Sequence, residues 1–492
     1  MEMDMSGHDA DYERGTKRKF AGDELDMTYH EEIAATADHR LPPATVSGCP
    51  FRDDQYYKAL YLEEEPDFHL LGQRDPEFKA VLERGSHLDF ANPKSVMQLT
   101  KTLLKLDFGL VVDLPTDRLC PPVPNRHNYI IWLKDLIDST SSSTSCLDLG
   151  EPSRERPLWS FIATDVDSKS LSYARKNAQL NNMGSRIRVV DRTVTDRLIP
   201  LTELGLETID FVMVNPPFYT SGAELADLAS QKSRPPNSAC TGAPIEMVCA
   251  GGEIGFIRRI IDESLVLREK VQWYTAMLGK QSSLEVLVGI LKGYGVTNYV
   301  VTAFVQGNKT RRWAIGWSFQ SRRPSLSASR GCEPSAGKRI LPAPTEATVA
   351  SWPMSRVKPE QLERTVCETM ENLDLASWVW DRLHFRGVGF VDGNVWSRAY
   401  RRKKARENEK EDPNLDGEET TETNPPSSRQ TYHCRTTDHS AAQYAFGFSV
   451  TIQVSKNIKN SEDQSVIVAR WLQGDDYALF ESFTGLLRKS IR

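Results

Sequence analysis

From Cys146 onward the chain alternates short apolar runs with helical stretches, and this pattern constrains the fold more than any other feature. Four apolar runs predict buried strands, namely CLDL, WSFIAT, IRVVD and IDFVMV. The stretch SKSLSYARKNAQL predicts a helix between the second and the third run. Strand–helix alternation implies a parallel sheet with helices on both faces, so we expect an α/β fold over residues 141–320. Four later segments extend the pattern as one helix and three strands, namely GFIRRIIDESL, VQWYTAML, YVVTAFVQ and RRWAIGWSF.

The sequence before this region predicts a tail and a helical extension. Residues 1–50 are polar, acidic overall and without periodicity, which is typical of a disordered tail. Residues 51–140 contain a capped amphipathic helix that begins at Asn92-Pro93 and a second periodic stretch from Tyr129 to Ile137. A proline-rich loop, LPTDRLCPPVPNRHN, joins the two helices. We expect this extension to be helical.

The sequence after the α/β region predicts a second ordered unit. Residues 321–352 are rich in Ser, Pro and Gly, which predicts a linker. Residues 353–492 alternate helix and strand patterns and predict a small α/β domain. Within that domain, residues 407–440 are acidic and polar, and they predict a disordered insert.

Length, cysteines and charge narrow the classes of protein. A chain of 492 residues is long enough for two to three domains. No stretch reaches ~18 consecutive apolar residues, and no signal-peptide core is visible, so we expect no membrane association. The 8 cysteines form no C-x-x-C pair and the 9 histidines no ligand-spaced pair, so we expect no metal and no disulfide framework. At a net charge of −6, any affinity for nucleic acid must come from local basic patches.

The segment IDFVMVNPPFYTSG carries the chemistry, because it places Asn215, Pro216, Pro217 and Phe218 directly after an apolar strand. The exocyclic amine of a nucleobase is a poor nucleophile, since its lone pair is delocalised into the ring. The Asn215 side-chain oxygen and the Pro216 carbonyl can accept its two hydrogens and turn the lone pair toward an electrophilic methyl group. The prolines fix φ and remove N–H donors, and Phe218 can stack on an extruded base.

This tetrad, Asn215–Phe218, is the signature of S-adenosylmethionine-dependent amine N-methyltransferases. Carbon methylation of cytosine requires a cysteine nucleophile, and the chain has no Pro-Cys pair. The tetrad also occurs in enzymes that methylate glutamine amides and in DNA adenine methyltransferases, so it indicates the chemistry without the substrate. A proline turn that only ends a strand is the competing interpretation.

Five segments of the sequence indicate a particular family. In order, these are LTKTLLKLDFGLVVDLPTDRLCPPVPNRHNYIIWLKDLI, NPPF, TGAPIEMVCAGGEIGFIRRIIDES, QWYTAMLGKQSSL and FVQGNKTRRWAIGWSF. Over roughly residues 56–320 they closely resemble the family of methyltransferase-like protein 16, which includes bacterial RlmF-type enzymes acting on ribosomal RNA. The resemblance implies a Rossmann-like fold, S-adenosylmethionine as cofactor, an RNA-binding N-terminal extension and adenosine N6-methylation in structured RNA. For eukaryotic members the expected target is U6 small nuclear RNA.

The resemblance also assigns individual residues to cofactor and RNA contacts. Arg126 matches the arginine that contacts the cofactor's carboxylate, and Gly150 matches the first glycine of the cofactor loop. Asp165 sits where an acidic residue should bind the ribose hydroxyls. Thr195 is the expected contact on the adenine side, with Thr193 close by, and Asn215 also borders the cofactor. Arg234 lies in the segment that closes over RNA in the family.

One departure from the family affects the cofactor loop. The family pattern D-x-G-T-G-A-S is followed by a helix, whereas here Gly150 is followed at once by EPSRERPL and the strand WSFIAT. About a dozen residues are the minimum for a parallel crossover, and this connection is shorter. The alternatives are therefore a catalytically silent RNA-binding protein, a sequence that lacks a segment, or, as a second enzyme, a ribosomal RNA adenine methyltransferase.

Two basic clusters remain. NVWSRAYRRKKARE resembles part of the vertebrate-conserved C-terminal region of the family, an RNA-binding accessory domain. Five residues of this run are the predicted RNA contacts, Arg398, Arg401, Arg402, Lys403 and Lys404, and a solvated helix face is the competing interpretation. Lys17-Arg18-Lys19 is compatible with nuclear import or with a chance cluster. We expect a nuclear protein, with the cytoplasm as the alternative.

Overall fold

The N-terminal part of the chain is mainly helical. The computed structural model describes residues 54–61, 66–84, 86–141, 159–224, 242–306, 310–332, 337, 339–411, 444–456 and 462–491. The N-terminal elements are α1 (Asp54–Ala59), α2 (Phe68–Arg74), α3 (Pro76–Lys79), β1 (Leu82–Glu83), β2 (His87–Leu88), α4 (Pro93–Phe108) and α5 (Val123–Thr140). The predicted tail, residues 1–50, lies outside the described residues.

Helix α4 shows why this part folds as predicted. The Asn92 side chain accepts the N–H of Lys94 at 3.0 Å, and Pro93 occupies the first turn, where a missing N–H costs nothing. The helix ends at Gly109, whose φ of 67° is the left-handed value that favours glycine. Its buried Leu103 packs with Phe78 and Val123 in a small core that joins α3, α4 and α5.

The first half of the α/β region contains three strands that each take part in a parallel pair. Its elements are β3 (Phe161–Asp165), α6 (Ser168–Leu180), β4 (Ile187–Asp191), α7 (Leu201–Leu204) and β5 (Ile209–Val214). Strands β3 and β4 pair in parallel with α6 as the crossover, in the places that the sequence predicts. The fold class predicted from the alternation is therefore confirmed.

The second half completes a five-stranded sheet. It contains α8 (Pro244–Met247), α9 (Gly252–Leu267), β6 (Val271–Leu278), α10 (Gln281–Gly293), β7 (Tyr299–Gln306), β8 (Thr310–Trp317), α11 (Leu326–Ser329) and β9 (Arg330–Gly331). The strand order is β5-β6-β8-β7-β9, with β5 parallel to β6 and the β6-β8 and β8-β7 pairs antiparallel. Helices α9 and α10 pack on one face and α5 on the other. This architecture is Rossmann-like.

Strands β3 and β5 are neighbours without a shared ladder in the part of the chain that the structure describes. The rings of Trp159 and Phe161 pack on Phe211 of β5, with centroid distances of 5.3 and 6.1 Å. The predicted strand CLDL, the glycine at 150 and the short connection EPSRERPL all lie outside the described residues. The aromatic contacts hold the β3-β4 pair beside the larger sheet.

The C-terminal unit is a second sheet with two helices on one face. Its elements are β10 (Glu346–Pro353), α12 (Pro359–Glu371), β11 (Ser377–Asp381), β12 (Arg386–Val391), α13 (Arg398–Glu411), β13 (Phe446–Lys456), β14 (Asp463–Gln473) and α14 (Tyr477–Ser490). The antiparallel order is β10-β14-β13-β12-β11. Fully buried Phe446, Phe448 and Phe483 join the sheet to α14. Among the described residues, no helix is long and apolar enough to cross a bilayer.

Two sequence-based boundaries are corrected by this arrangement. The segment 321–352 is not a free linker, because α11 and β9 pack on the first sheet and β10 starts the second at Glu346. Ala328 and Ser329 are buried there, and the Ala328 carbonyl accepts the indole N–H of Trp132 in α5 at 2.8 Å. The predicted insert, residues 407–440, also begins too early, since α13 continues to Glu411. The rest of that insert lies outside the described residues.

Arg323 joins the two units. It is 4% exposed, and its guanidinium lies 4.3 Å from the Trp471 ring centroid. Its Nε donates to the Gly474 carbonyl at 2.7 Å and its Nη2 to Asp475 at 2.9 Å. Burial lowers the pKa of Arg323 to about 10, so the side chain stays charged at neutral pH and attracts Asp475. A backbone bridge between Arg322 and Gln473 completes the contact.

The first prediction concerns this contact. Arg323→Ala should lower the free energy of unfolding by about 2–4 kcal/mol, because it removes a cation–π contact and both hydrogen bonds of a buried charged group. Thermal unfolding of the full chain measures the effect. Arg364→Ala, which removes an exposed arginine of α12, is the control and should leave the midpoint unchanged. Equal midpoints for both variants would show that Arg323 does not hold the units together.

Candidate active site

The tetrad lies at the carboxyl end of β5, where the sequence predicts it. The strand is apolar because it is buried between helices on both faces, and it pairs with β6 along Ile209–Val214. All four tetrad residues, 215–218, are buried, and Asn215 is 4% exposed. Pro216 and Pro217 have no N–H, so the ladder ends there and the chain turns away from the sheet.

The chain that leaves the tetrad is fixed by a short backbone ladder. The N–H of Tyr219 donates to the Met247 carbonyl, and the N–H of Cys249 donates to the Tyr219 carbonyl, both at 3.0 Å. Tyr219 is almost fully buried beside Met247. These bonds connect the tetrad to the start of α9, so the tetrad is held from both ends.

Phe218 is packed against the N-terminal extension. Its ring is 8% exposed and belongs to a cluster that includes Val96 and Met97 of α4 together with Leu119. The Arg312 guanidinium lies 5.8 Å from the ring centroid. The extension therefore forms one wall of the tetrad site, a contact between segments about 120 residues apart that the sequence pattern does not show.

Two glycines at the start of α9 shape this wall from the other side. Gly251 and Gly252 have φ values of 79° and 58°, a backbone conformation that L-residues rarely adopt. A Cβ at Gly252 would lie 3.0 Å from the Phe218 carbonyl oxygen and 3.3 Å from Thr220. The sequence analysis did not single out these glycines, although the motif CAGGEIG contains them.

Asp165 is the last residue of β3, at the carboxyl end that this strand shares with its parallel partner β4. Its Oδ1 accepts the N–H of Asp167 at 2.8 Å, which fixes the turn into α6. Burial raises the pKa of Asp165. A half-buried carboxylate of this kind is stabilised by hydroxyl donors, so Asp165 fits the ribose contact that the resemblance implies.

Arg118, in the proline-rich loop, binds the turn that follows Asp165, and no sequence pattern marked this residue. Its Nε and Nη2 donate to the two oxygens of Asp167 at 2.8 and 3.1 Å. The Arg118 bond holds the pKa of Asp167 well below its usual range. Asp167 also accepts the N–H of Ser170 and so begins α6. This bidentate pair connects the N-terminal extension to the turn that carries Asp165.

Arg126 lies in the first turn of α5, three residues before Tyr129, so the two side chains share a helix face. The Tyr129 hydroxyl lies 2.9 Å from the Thr275 hydroxyl and 3.5 Å from the Val214 carbonyl, one residue before Asn215. Burial raises the pKa of Tyr129, and the positive charge of Arg126 partly offsets this rise. The Arg126 charge therefore acts on the hydroxyl that lies beside the end of β5.

Thr195 lies in an exposed loop that α9 braces. Arg259 donates to the carbonyls of Val194 and Asp196 at 3.2 and 3.3 Å. The hydroxyls of Thr193 and Thr195 are 3.1 Å apart, so these two threonines remain alternatives for one contact. The loop follows β4, whose neighbour β3 carries Asp165 at the same end.

Two predicted site residues lie outside the described residues, the glycine at 150 and the arginine at 234. Asp165, Asn215 and the Thr195 loop each lie at or just after the carboxyl end of a strand, namely β3, β5 and β4, and Arg126 lies in the first turn of α5. The predicted RNA contacts of α13 belong to the C-terminal unit, apart from this edge along the chain. In the described ranges, no group of three His, Cys, Asp or Glu side chains could hold a metal ion.

A buried tetrad at the end of one strand and an acidic residue at the end of a neighbouring strand have the arrangement of a Rossmann-like methyltransferase site. A family model described as RNA methyltransferase matches residues 58–321, which is more than half of the chain. The chain therefore belongs to this RNA methyltransferase family, and the resemblance seen in the sequence is confirmed.

Two relatives of known name are similar in sequence to this chain. RNA N(6)-adenosine-methyltransferase METTL16 of Homo sapiens is 40% identical over 278 residues, covering 53% of this chain and 49% of the relative. The U6 small nuclear RNA (adenine-(43)-N(6))-methyltransferase of Schizosaccharomyces pombe is 40% identical over 268 residues, covering 52% and 68%. The chain spans about half the length of the vertebrate relatives it matches.

A solved structure is also similar. The hMettl16 catalytic domain in complex with MAT2A 3'UTR hairpin 1 is 38% identical, with a TM-score of 0.46, and the match covers 53% of this chain and 94% of that one.

The second prediction tests the wall behind the tetrad. Gly252→Ala should lower the free energy of unfolding by about 2–3 kcal/mol, because it combines the strain of a positive φ with a close contact to the Phe218 carbonyl. Gly205→Ala is the matched control, since Gly205 has a φ of 69° and open space around it. Denaturant unfolding should show about 1 kcal/mol for the control. Equal losses would mean that the contact with the tetrad carries no energy.

Proposed function

We propose that this chain transfers the methyl group of S-adenosylmethionine to the N6 amine of an adenosine in structured RNA, and that U6 small nuclear RNA is the target. The observation that carries the proposal is the buried tetrad at the end of β5, inside a match to an RNA methyltransferase family. Relatives at 40% identity are named for adenosine N6-methylation and for U6 small nuclear RNA.

In the proposed methyl transfer, each residue of the tetrad site has a separate role. Bound S-adenosylmethionine supplies an electrophilic methyl group on its sulfonium. Asn215 and the Pro216 carbonyl accept the two hydrogens of the amine and direct the nitrogen lone pair at that methyl carbon. Phe218 holds the base plane. The cofactor would give up its methyl group and leave as a neutral thioether, and the methylated nitrogen would release one proton to water.

Four further residues fit the cofactor by their chemistry. Arg126 pairs with its carboxylate, Asp165 accepts from its ribose hydroxyls, Thr195 contacts its adenine side, and Gly150 is the first glycine of the cofactor loop. We also propose that Arg234 contacts the RNA. A nuclear location fits the nuclear RNA named in the relatives, and the cytoplasm is the alternative.

The third prediction concerns the tetrad. Asn215→Ala should slow single-turnover methylation of a U6 RNA hairpin by at least ~100-fold, the usual cost of one transition-state hydrogen bond. RNA affinity should stay within ~2-fold, because phosphate contacts dominate it. Asn372→Ala, an exposed asparagine at the end of α12, is the control. Full activity of Asn215→Ala would exclude the assigned role.

The short connection after Gly150 supports a second candidate, a silent RNA-binding protein. Calorimetry of the full chain with S-adenosylmethionine separates the two functions, because only the enzyme requires the cofactor. A chain that binds the RNA but not the cofactor would be the silent protein. Methylation of a ribosomal RNA fragment in preference to U6 RNA would identify the ribosomal alternative.

We propose that α13 provides further RNA contacts. Arg398 and the run 401–404 are exposed on this helix. Lys404 pairs with Asp374 at 2.7 Å and Lys403 lies 3.7 Å from Glu407, but both lysine side chains remain exposed, so a phosphate can still reach them. Phosphates attract such a face because neutralising them releases counterions.

The fourth prediction measures this attraction. Replacing Arg401, Arg402, Lys403 and Lys404 by Gln should reduce the slope of log affinity against log salt by ~0.7–0.9 for each phosphate that α13 no longer neutralises. RNA binding at several salt concentrations gives the slope. The control replaces three exposed cations of the same unit, Arg356, Lys358 and Arg364. If both variants keep the slope of the parent chain, α13 is a solvated helix face.

A further inference from the structure

The backbone at Gly279 lies directly against the Phe218 ring. A Cβ at this position would be 2.9 Å from both Cδ1 and Cε1 of the ring, closer than real side chains approach. The φ of Gly279 is not positive, so the residue does not need glycine for its conformation. Space for the ring is therefore the reason for a glycine here.

Glu253 fixes the Gly279 backbone. The N–H of Gly279 donates to Glu253 Oε2 at 2.7 Å, and Glu253 is 3% exposed in the first turn of α9. Burial raises the pKa of Glu253, and the bonds from Ser283 and Gly279 act against this rise. Because Gly279 follows β6 and Glu253 begins α9, their bond ties two separate parts of the chain together.

The next residue, Lys280, connects the same corner to the chain beyond the tetrad. Its Nζ lies 3.7 Å from Glu224 Oε1. Glu224 accepts the N–H of Thr220 at 2.8 Å and its hydroxyl at 2.5 Å. The corner at Gly279 and Lys280 thus contacts the ring of Phe218 and the turn that follows it.

We propose that Glu253 and Gly279 are positioning residues that set the place of the Phe218 ring and, through it, the place of the target base. The inference deepens the proposed function and rests on it, since Phe218 is the residue that holds the base. Glu253 acts on Gly279, and Gly279 acts on the ring, without contact with substrate or cofactor.

A double-mutant cycle tests this order of action. Gly279→Ala should slow single-turnover methylation of the U6 hairpin by ~10–100-fold, as expected for a displacement of about 1 Å at a reacting group. In a Phe218→Leu background the same change should cost less than ~3-fold, because residues that act through one another are not additive. Gly289→Ala, in α10 with no atom within 4 Å of its Cβ, is the control. Additive effects overturn the proposal.

A conservative variant tests Glu253. Glu253→Gln keeps an acceptor for the Gly279 N–H and should stay within ~3-fold of the parent rate, whereas Glu253→Ala should slow methylation by ~10-fold or more. RNA affinity and cofactor affinity should not change in either variant. Equal effects of Gln and Ala would show that the bond to Gly279 is not what matters.

A spectroscopic measurement makes the test independent of activity. With 4-fluorophenylalanine at position 218, Gly279→Ala should shift the fluorine resonance, and Gly289→Ala should leave it in place. An unshifted resonance in Gly279→Ala overturns the positioning role. If the parent chain methylates no RNA but the resonance shifts, the proposed function fails and the contact between Gly279 and the ring stands.

Discussion

The structure depends on the burial of β5 and on the way this strand ends. Strand β5 is apolar and lies between two layers of helices. Its pairing with β6 fixes the register and therefore the position of the residue that follows the strand. The two prolines then end the ladder and turn the chain out of the sheet, since they have no N–H to continue it. Asn215 is buried at this point, where water does not compete for its acceptor oxygen.

The tetrad is surrounded by segments from distant parts of the sequence. The N-terminal extension contributes Val96 and Leu119, the start of α9 contributes Gly252, and the corner after β6 contributes Gly279. These four contacts with the tetrad and its turn are steric or apolar. Such contacts fit a reaction that needs orientation of an amine rather than proton transfer before attack.

The two halves of the chain are joined more closely than the composition of the connecting segment suggests. Ser, Pro and Gly are frequent there, yet Arg323 is buried against Trp471, and the backbones of both units share a bridge. Arg470 adds a second contact, since its Nη2 donates to the Ser139 carbonyl at the end of α5. Helix α5 carries Arg126 at its other end, so the C-terminal unit contacts an element of the candidate cofactor site.

The sequence by itself determined many of the elements of the α/β region and the family. The apolar runs predicted the first and last residues of β4, β5 and β6 correctly, because local hydrophobic pattern and strand length decide such elements. The tetrad and the family motifs identified the family, since they are continuous in the chain. The sequence missed α10, which follows a strand without a clear cap, and it took a packed segment for a linker.

Only the tertiary structure decided which side chains meet. Arg118 reaches Asp167 across 49 residues, and the Gly279 backbone lies on Phe218 across about 60. Contacts of this kind leave no periodic trace, because a glycine needed for space and an arginine needed for a buried partner resemble any other loop residue in the sequence. Their roles follow from close packing, which fixes distances that composition and spacing do not contain.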